Sequence, residues 1–592
     1  MKSLQGKESS MVRSKLKALF IEKKFLRISW LEWLVIVLFF SLLFILLVKV
    51  GGGPVTSDEF YYMNLSLNGI KSFLVLNYYF HIYLQRIFLL LAPSALAGAK
   101  YFWAFLLTAT SFIIYLSTRW MSKGKSIFNA ILSVFIFFSI TSFAGYAGAP
   151  KIDFTTTFIV SIVFAVSIFY KEFKANKKII LLVLGFVFFL VLKTKETALF
   201  SALVLIGFGF DEHSRFSFRE FLKSLLFVLP GFILGGLFFI LLNWLCVRDP
   251  LFGIRLQDII SYLNMNVQSH QFITLDQNWL SDYVLKAIPL PFLFYLWGGL
   301  KRSQQKDGVY YRLIWFYPMV LLIFLVVVML ITPGFKITDR NFFPALPVIC
   351  IFASQIFIVD EKKSIDVLKR NAIFAGIGFA LATFLQILIL QTSPLTNWNY
   401  LEFSQNIIIP IVIIIVLIQV IINSTNLNRT FVLSIVCLSL GLSSSLINNF
   451  KSIVVDRPIW HRVSQMFYPF AAFKNSFHFS SEKIYYMSPT LPAHLQMLAR
   501  RKDELYCMFN IYFKTNATMD NFIFPATYTV ETGEYQITDP IQSIAEMNFD
   551  EAIIAEEDWQ RLQAIPETFK QVEAKYQFQY DDTNLILYLS RK

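Results

Sequence analysis

Residues 51–63, GGGPVTSDEFYYM, follow directly on the first long apolar segment of the chain. Two adjacent carboxylates, Asp58 and Glu59, lie there beside glycines, a proline and an aromatic cluster. A pair of acids in such surroundings, at the mouth of a membrane span, is a candidate for chemistry. Whether they act together depends on what the other segments place beside them.

The composition is that of a polytopic membrane protein. Of 592 residues, 56% are hydrophobic and only 16% are charged, which excludes a water-soluble globule. The apolar runs are about 20 residues long, enough to cross a hydrocarbon core of roughly 30 Å, so they predict helices rather than barrel strands. The first run is long enough to remain in the membrane, and we expect no cleavable signal before it.

Hydropathy predicts a mostly α-helical bundle of about thirteen spans over residues 31–447. The predicted spans are 31–50, 101–120, 127–147, 154–170, 179–193, 196–210, 222–246, 283–300, 313–332, 341–358, 372–391, 407–423 and 430–447. Lysines and arginines before the first span place the N-terminal tail, 1–30, in the cytoplasm by the positive-inside rule. Alternation then places both acidic segments, around Asp58 and Asp153, on the outer face.

The net charge of +14 falls mainly in short loops between apolar runs, so it reflects topology and predicts no nucleic-acid partner. The cysteines lack metal-ligand spacing and predict neither a disulfide framework nor a zinc site. They are Cys246, Cys350, Cys437 and Cys507.

Residues 73–91, FLVLNYYFHIYLQRIFLLL, predict an amphipathic helix between the first two spans. Its polar side chains recur at helical spacing, so we expect the helix to lie along the outer interface with this stripe toward a site. The stripe consists of Asn77, His81, Gln85 and Arg86.

The polar tail, 448–592, predicts a small α/β domain on the outer side of the membrane. Its pattern indicates strands at 483–487, 549–555 and 585–589 and helices at 492–500 and 557–564.

The acids have structural interpretations beside the functional ones. Thr56 and Glu59 match a capping box, which leaves Asp58 free and makes it the better candidate base. Asp153, in GYAGAPKIDFTTTF, matches the N-cap of the fourth span. The functional interpretation is favoured because both acidic turns fall on one membrane face, where a lipid-linked polar substrate presents its head group.

Outward cations run against the positive-inside bias. LKTKETALF carries Lys193, Lys195 and Glu196, and TPGFKITDRNFFPALP carries Lys336 and Arg340. A single cation of this kind anchors a span end at the interface, whereas the set matches a phosphate at head-group level.

The outer loop 247–282 holds Asp249, Asp258, His270 and Asp276. A solvated loop with short helices is favoured over a catalytic role, although a loop of this length can also act as a lid. His270 has no histidine partner at metal-binding spacing, so we expect no metal there.

Taken together, these motifs resemble those of the C-type membrane glycosyltransferases, nearest the branch of protein O-mannosyltransferases and lipid A aminoarabinose transferases. DE-x-x-Y, here Asp58, Glu59 and Tyr62, resembles their first-loop acidic motif. GAPKID with Asp153 resembles their second acidic turn. LKTKETAL with Lys195 and DRNFFPALP with Arg340 are similar to their lysine turn and Arg-x-x-x-Pro stretch. Where members often carry His-Pro-Pro, this chain has His81, Ile82 and Tyr83.

The resemblance implies a polyprenyl-phosphate sugar donor and an acceptor, a lipid, glycan or protein, on the outer face of a bacterial inner membrane. Transfer to a hydroxyl needs a base and a group that stabilises the departing phosphate, and a single displacement inverts the anomeric centre. The predicted roles are Asp58 as base, Glu59 and Asp153 as supporting acids, Lys195 and Arg340 as phosphate ligands, and Tyr62, His81 and Arg86 as further substrate-binding residues.

Three alternatives stay open. The acids Asp58, Glu59 and Asp153 can instead hold a divalent cation, Mg²⁺ or Ca²⁺, because these ions prefer oxygen ligands. A lipid or sugar transporter also has many spans, but it is expected to place polar residues in mid-span and to show repeated halves. A polysaccharide polymerase or ligase is chemically related, and the folded tail argues against it.

Overall fold

The computed structural model describes residues 24–50, 57–69, 71–124, 127–138, 151–173, 177–210, 215–262, 295–296, 298–300, 302, 308–331, 339–355, 483–487, 522–523, 526–529, 534–537, 549–581 and 586–592. The predicted spans at 372–391, 407–423 and 430–447, most of 283–300, and the predicted helix at 492–500 lie outside these residues. The described chain is mostly helical, with a small sheet near its C-terminus.

The helices follow the apolar runs of the sequence. They are α1 Trp30–Val50, α2 Ser57–Asn68, α3 Tyr79–Leu91, α4 Ala95–Met121, α5 Ile127–Phe138, α6 Ile152–Glu172, α7 Lys177–Leu192, α8 Val204–Gly207, α9 Phe218–Val247, α10 Gly308–Ile331 and α11 Leu346–Ser354. Short 3-10 helices stand between them at Phe73–Tyr78, Glu196–Leu203 and Asp339–Ala345.

Four described helices are long and apolar enough to cross a membrane, by length and composition. They are Trp30–Lys49, Ala97–Met121, Ile152–Glu172 and Phe218–Val247, and they coincide with predicted spans. Other predicted spans correspond to shorter apolar helices, Asn129–Phe138, Glu196–Gly207, Tyr310–Leu325 and Asn341–Ser354.

Two predicted spans begin as 3-10 helices rather than as regular α-helices. The span predicted at 196–210 starts with Glu196–Leu203, and the one predicted at 341–358 starts with Asp339–Ala345. In the second case Pro344 lies inside the irregular turn and has no backbone N–H to donate. Both irregular turns carry candidate site residues.

The predicted interfacial helix is divided in two. Phe73–Tyr78 is a 3-10 helix with a non-helical residue at Val75, and α3 follows it directly. Along α3 the polar His81 and Gln85 are fully buried, whereas the apolar Leu90 and Leu91 are exposed. The polar stripe therefore faces the protein, as the sequence predicted.

Helix α6 lies at the centre of the bundle and packs against α4, α7 and α11. Its neighbour α7 meets α9 at backbone distance, because a Cβ added at Gly185 would lie 1.9 Å from the carbonyl oxygen of Val228. The reciprocal approach occurs at Gly231, where an added Cβ would lie 1.9 Å from the carbonyl oxygen of Leu182. Small residues allow such close packing between membrane helices.

The C-terminal end of α6 is held by a buried ionic cluster. Glu172 pairs with Arg27 at 3.0 Å and with Arg302 at 3.2 Å, and the hydroxyl of Tyr311 donates to it at 2.5 Å. Arg27 lies in the tight hairpin turn between strands β1 Lys24–Phe25 and β2 Ile28–Ser29, and its φ is 66°. The hairpin brings the segment before the first span to this end of α6.

The C-terminal part contains a mixed sheet of five strands. They are β3 Tyr485–Met487, β4 Phe522–Ile523, β7 Glu551–Ala555, β8 Tyr576–Asp581 and β9 Ile586–Arg591. Their order in the sheet is β4-β3-β7-β9-β8. Strands β5 Ala526–Thr529 and β6 Glu534–Ile537 form a separate antiparallel pair. Helices α12 Glu556–Gln563 and α13 Pro566–Lys575 pack against the sheet over a core that includes Leu562, Val572 and Leu589. The strands and the helix predicted within the described tail are confirmed, and the domain boundary at 448 stays a prediction.

Candidate functional site

The N-terminal end of α6 carries the central residues of the candidate site. Lys151 is the N-cap residue, with extended backbone and no side-chain cap, and Asp153 lies in the first turn with only 2% of its surface exposed. The interpretation of Asp153 as the helix N-cap is therefore wrong. Its carboxylate is engaged with another segment of the chain.

Asp153 forms a buried ion pair with Lys195, whose Nζ lies 2.5 Å from Oδ1. The same Nζ donates to the side-chain oxygen of Asn341 at 2.9 Å. Lys195 is the extended residue before the 3-10 helix Glu196–Leu203, and Asn341 lies in Asp339–Ala345. The lysine thus joins α6 to both irregular turns.

A second ion pair joins Glu59 of α2 to Lys151, with 3.0 Å between Oε1 and Nζ. The Glu59 side chain is fully buried and that of Lys151 is 6% exposed. Charges removed from water to this degree are stable only when they are paired. Asp58 precedes Glu59 in α2, and its side chain, like Thr56, lies outside the described residues.

His81 lies between α6 and the first-loop helix α2. Its Nδ1 is 2.7 Å from the hydroxyl of Thr155, and its ring is edge-on to that of Tyr62 at 5.6 Å. Burial lowers the pKa of His81 to about 3, and the nearby charge of Asp153 opposes this shift. The imidazole is therefore neutral at physiological pH, and its buried Nε2 has no partner among the described residues.

Arg86 is placed differently from the other predicted ligands. Its Nη1 donates to the backbone oxygen of Ser66 at 2.8 Å, which ties α3 to the end of α2. The hydroxyl of Ser66 also donates to Gln85 at 3.0 Å. The described contacts of Arg86 therefore fix helix packing, and its substrate-binding role stays a prediction.

Arg340 lies in the 3-10 helix Asp339–Ala345, directly before the Asn341 that binds Lys195. Its side chain lies outside the described residues, as does Lys336. The backbone nevertheless places residue 340 beside the Lys195 contact.

Lys193 does not join the acids. Its Nζ donates to the backbone oxygen of Gly253 at 2.6 Å, and the backbone nitrogen of Gly253 donates to Asp258 at 2.8 Å. These bonds fasten residues 248–262 onto the turn before Glu196. Asp249 pairs with Lys71 and Arg255, whereas His270 and Asp276 lie outside the described residues.

The described residues fit a lysine-neutralised site better than a metal site. Glu59 and Asp153, two of the three predicted cation ligands, each have a lysine at ion-pair distance. No group of three His, Cys, Asp or Glu side chains placed to hold a metal ion occurs in the described part of the chain. The divalent cation stays a prediction, and no step proposed below uses it.

Sequence reasoning missed Lys151, Asn341 and Thr155 as members of the site. Lys151 and Asn341 each stand within two residues of a predicted site residue, Asp153 or Arg340. This nearness in the sequence to charged site residues was the available signal. Nothing in the sequence distinguished Thr155 from the threonines beside it.

The chain shares the fold of solved membrane glycosyltransferase structures, in agreement with the mostly helical membrane fold expected from the motifs, and the count of thirteen spans stays a prediction. It is similar to the crystal structure of ArnT from Cupriavidus metallidurans in the apo state, with a TM-score of 0.54 and 12% identity over 94% of this chain and 97% of that one. It is also similar to the crystal structure of ArnT from Cupriavidus metallidurans bound to undecaprenyl phosphate, with a TM-score of 0.52 and 13% identity over 94% of this chain and 98% of that one.

A more distant likeness is to the archaeal oligosaccharyltransferase AglB from Archaeoglobus fulgidus, solved with an inhibitory peptide and a dolichol-phosphate. Its TM-score is 0.37 at 12% identity, covering 95% of this chain and 75% of that one. By sequence, no protein-family model matches the chain. No curated protein matches it either.

Proposed function

We propose that this protein is an integral-membrane glycosyltransferase that moves a sugar from a polyprenyl-phosphate donor to a hydroxyl group of a lipid, glycan or protein. The observation that carries the proposal is Lys195 held between Asp153 and Asn341, next to the buried pair of Glu59 and Lys151. This arrangement places acids and cations together at one end of a membrane-crossing helix.

In the proposed reaction Asp58 takes the proton of the acceptor hydroxyl as its oxygen attacks the anomeric carbon of the donor sugar. The new carbon–oxygen bond forms as the bond from that carbon to the phosphate oxygen breaks. Polyprenyl phosphate leaves with the bonding electron pair, and the single displacement inverts the anomeric centre. Glu59 and Asp153 hold the lysines in place.

Lys195 and Arg340 are proposed to bind the donor phosphate and to stabilise its charge as it leaves. Lys195 has only about an eighth of its side chain exposed, so a phosphate that reaches it meets a largely desolvated ammonium group. ArnT, which has a similar fold, has been solved with undecaprenyl phosphate bound, and this supports the choice of ligand.

An apolar cavity beside the turn that carries Lys193, Lys195 and Glu196 suits the isoprenoid chain of a polyprenyl-phosphate donor. Its volume is about 670 Å³, and Leu192, Leu199, Leu205, Leu226 and Phe232 are among its lining residues. Leu192 directly precedes Lys193, and Leu199 follows Glu196 by three residues. A chain lying there has its phosphate end close to Lys195.

We further propose that the N-terminal end of α6 faces the outside of a bacterial inner membrane, in a chain of about thirteen spans. The opposite end of α6 gathers Arg27, Arg302 and Glu172. An excess of arginine and lysine on the cytoplasmic side supports this orientation, which also places the C-terminal α/β domain outside.

A transporter is the second candidate, and the distribution of buried charge argues against it. Among the described residues up to Gln355, buried charged side chains lie in helix ends or connections, as Asp153, Glu172 and Lys193 do. A transport path needs polar groups near the middle of spans. Serines in the middle of described spans, such as Ser111 and Ser161, donate to backbone oxygens of their own helices.

The test is consumption of a radiolabelled undecaprenyl-phosphate sugar by membranes containing the wild type or Asp58→Asn. The proposal predicts that the wild type transfers the label to an acceptor and that the variant does not. Label that crosses the bilayer while still attached to the lipid would overturn the proposal in favour of a transporter. Transfer that survives the substitution would remove Asp58 as the base.

A further inference from the structure

Glu196 is a carboxylate beside the proposed phosphate site that the proposed reaction does not use. Its Oε1 accepts a hydrogen bond from the amide of Asn77 at 2.9 Å and a second from the hydroxyl of Tyr262. Both donors are neutral, and no described lysine or arginine lies at ion-pair distance from Glu196. Among the described residues, its negative charge is therefore held in position by neutral donors.

The second oxygen of this carboxylate, Oε2, makes no hydrogen bond to the described residues, and neither does the hydroxyl of Tyr78. Tyr78 is half-buried and stands at the end of its 3-10 helix, next to Asn77. Burial raises the pKa of Tyr78 well above its ordinary value, and Glu196 is the strongest of the nearby charges that raise it further. The hydroxyl therefore stays protonated, as a hydrogen-bond donor.

Tyr78 lies within electrostatic reach of both Glu196 and Asp153. After Glu196, the groups whose electrostatic effect reaches Tyr78 include Tyr62, Tyr262 and Asp153. The rings of Tyr62 and Tyr78 meet edge-on at 6.2 Å. Among the described residues, a carboxylate oxygen without a donor, a hydroxyl without an acceptor and the edges of aromatic rings are thus neighbours. Such a set matches a ring that carries several hydroxyl groups.

We infer that Glu196 and Tyr78 bind hydroxyl groups of the donor sugar and so determine which sugar is accepted. The inference rests on the proposed function, because it takes the Lys195 turn as the phosphate site. A sugar ring is attached directly to that phosphate, so it lies within reach of the neighbouring residue Glu196. Oε2 accepts from one sugar hydroxyl, and the Tyr78 hydroxyl donates to another.

A purely structural role for Glu196 makes a different prediction. Through Tyr262 the carboxylate also fastens the segment 248–262 to the site, and loss of that link would disturb every ligand alike. Glu196→Gln separates the two roles, because the amide oxygen can still accept from Asn77 and Tyr262 while the other position becomes a donor. Tyr262→Phe is the matched control, since it removes the link and keeps the carboxylate.

The experiment measures binding of undecaprenyl phosphate and of its mannose, glucose and galactose conjugates to the purified full-length protein in nanodiscs. We expect the wild type to bind at least one conjugate more tightly than bare undecaprenyl phosphate. Glu196→Gln and Tyr78→Phe should each weaken the binding of that conjugate by about 10- to 100-fold, which is the effect of losing one charge-assisted or buried hydrogen bond. The affinity for undecaprenyl phosphate should stay unchanged. Tyr262→Phe should preserve the ratio of the affinities for the conjugate and for undecaprenyl phosphate.

Three results would overturn the inference. One is a wild type that binds all three conjugates no better than the bare lipid phosphate. Another is that Glu196→Gln and Tyr78→Phe keep the wild-type ratio of the affinities for the conjugate and for undecaprenyl phosphate. The third is that Glu196→Gln loses affinity for both ligands together. Failure of the wild type to bind undecaprenyl phosphate at all would instead contradict the proposed function, and the inference with it.

Discussion

Lys195 and Asp153, 42 residues apart in the chain, meet at 2.5 Å in a buried part of the candidate site. Two elements make this pair possible: the first turn of α6 supplies the acid, and the extended residue before a 3-10 helix supplies the lysine. Each partner removes the cost of burying the other, so neither can be changed alone without consequence.

Replacing Lys195 is expected to slow sugar transfer strongly. Lys195→Gln should lower the rate of sugar transfer by about 100- to 1,000-fold, because it removes the charge that stabilises the departing phosphate. Asn341→Ala keeps the charge and the ion pair, and should lower the rate less than about tenfold. Rates measured with a labelled lipid-linked sugar check both values, and equal losses in the two variants would refute the phosphate role of Lys195.

The buried pair of Glu59 and Lys151 should show strong coupling in stability. Glu59→Gln removes the negative charge that faces the buried Lys151 ammonium group, at a cost of about 3–5 kcal/mol in the free energy of unfolding. The double variant Glu59→Gln and Lys151→Met should recover most of this loss. Thermal unfolding of the purified variants in detergent tests the prediction, which fails if the two substitutions are simply additive.

His81 should make the protein sensitive to acid. Its pKa is lowered to about 3 in the folded state, so between pH 6.5 and 3 the unfolded chain binds the proton more readily and stability falls as the pH falls. At pH 5 the loss amounts to about 2 kcal/mol. His81→Asn lacks this titration, so the variant should lose less stability than the wild type as the pH falls. Thermal unfolding of both proteins from pH 7 to 4 measures this difference in stability. A constant difference would contradict the assignment.

Glu172 provides a control at the opposite end of α6. Nineteen residues separate it from Asp153, or roughly 28 Å along a helix. Glu172→Gln should destabilise the protein by about 3–5 kcal/mol, because Arg27 and Arg302 lose their shared carboxylate. The affinity of the surviving folded protein for undecaprenyl phosphate should stay within about twofold of wild type, which a binding titration measures. A large loss of affinity would mean that the lipid binds at this end.

Much of the membrane architecture was predictable because long apolar runs have few alternatives in a bilayer. Trp30–Val50, Ile152–Glu172 and Phe218–Val247 each lie within a few residues of the predicted spans. Hydropathy did not predict the 3-10 starts at Glu196 and Asp339, because it carries no information on local backbone geometry. The count of thirteen spans stays a prediction.

The candidate site was predicted in part. The motifs identified Glu59, Asp153 and Lys195, whose charges stand out in an apolar chain. They could not show which charges pair with each other, since pairing depends on tertiary contacts such as that of Glu59 with Lys151. Lys193 and Lys195 look equivalent in the sequence, yet one binds a backbone oxygen and the other an acid.

The location of the lipid phosphate tests the central claim most directly. An electron cryo-microscopy map of the full chain in nanodiscs with undecaprenyl phosphate should show phosphate density within about 3.5 Å of the Lys195 Nζ and beside Arg340. Phosphate density near Glu172 at the other end of α6, or away from both Lys195 and Lys151, would contradict the assignment of the N-terminal end of α6 as the site of sugar transfer.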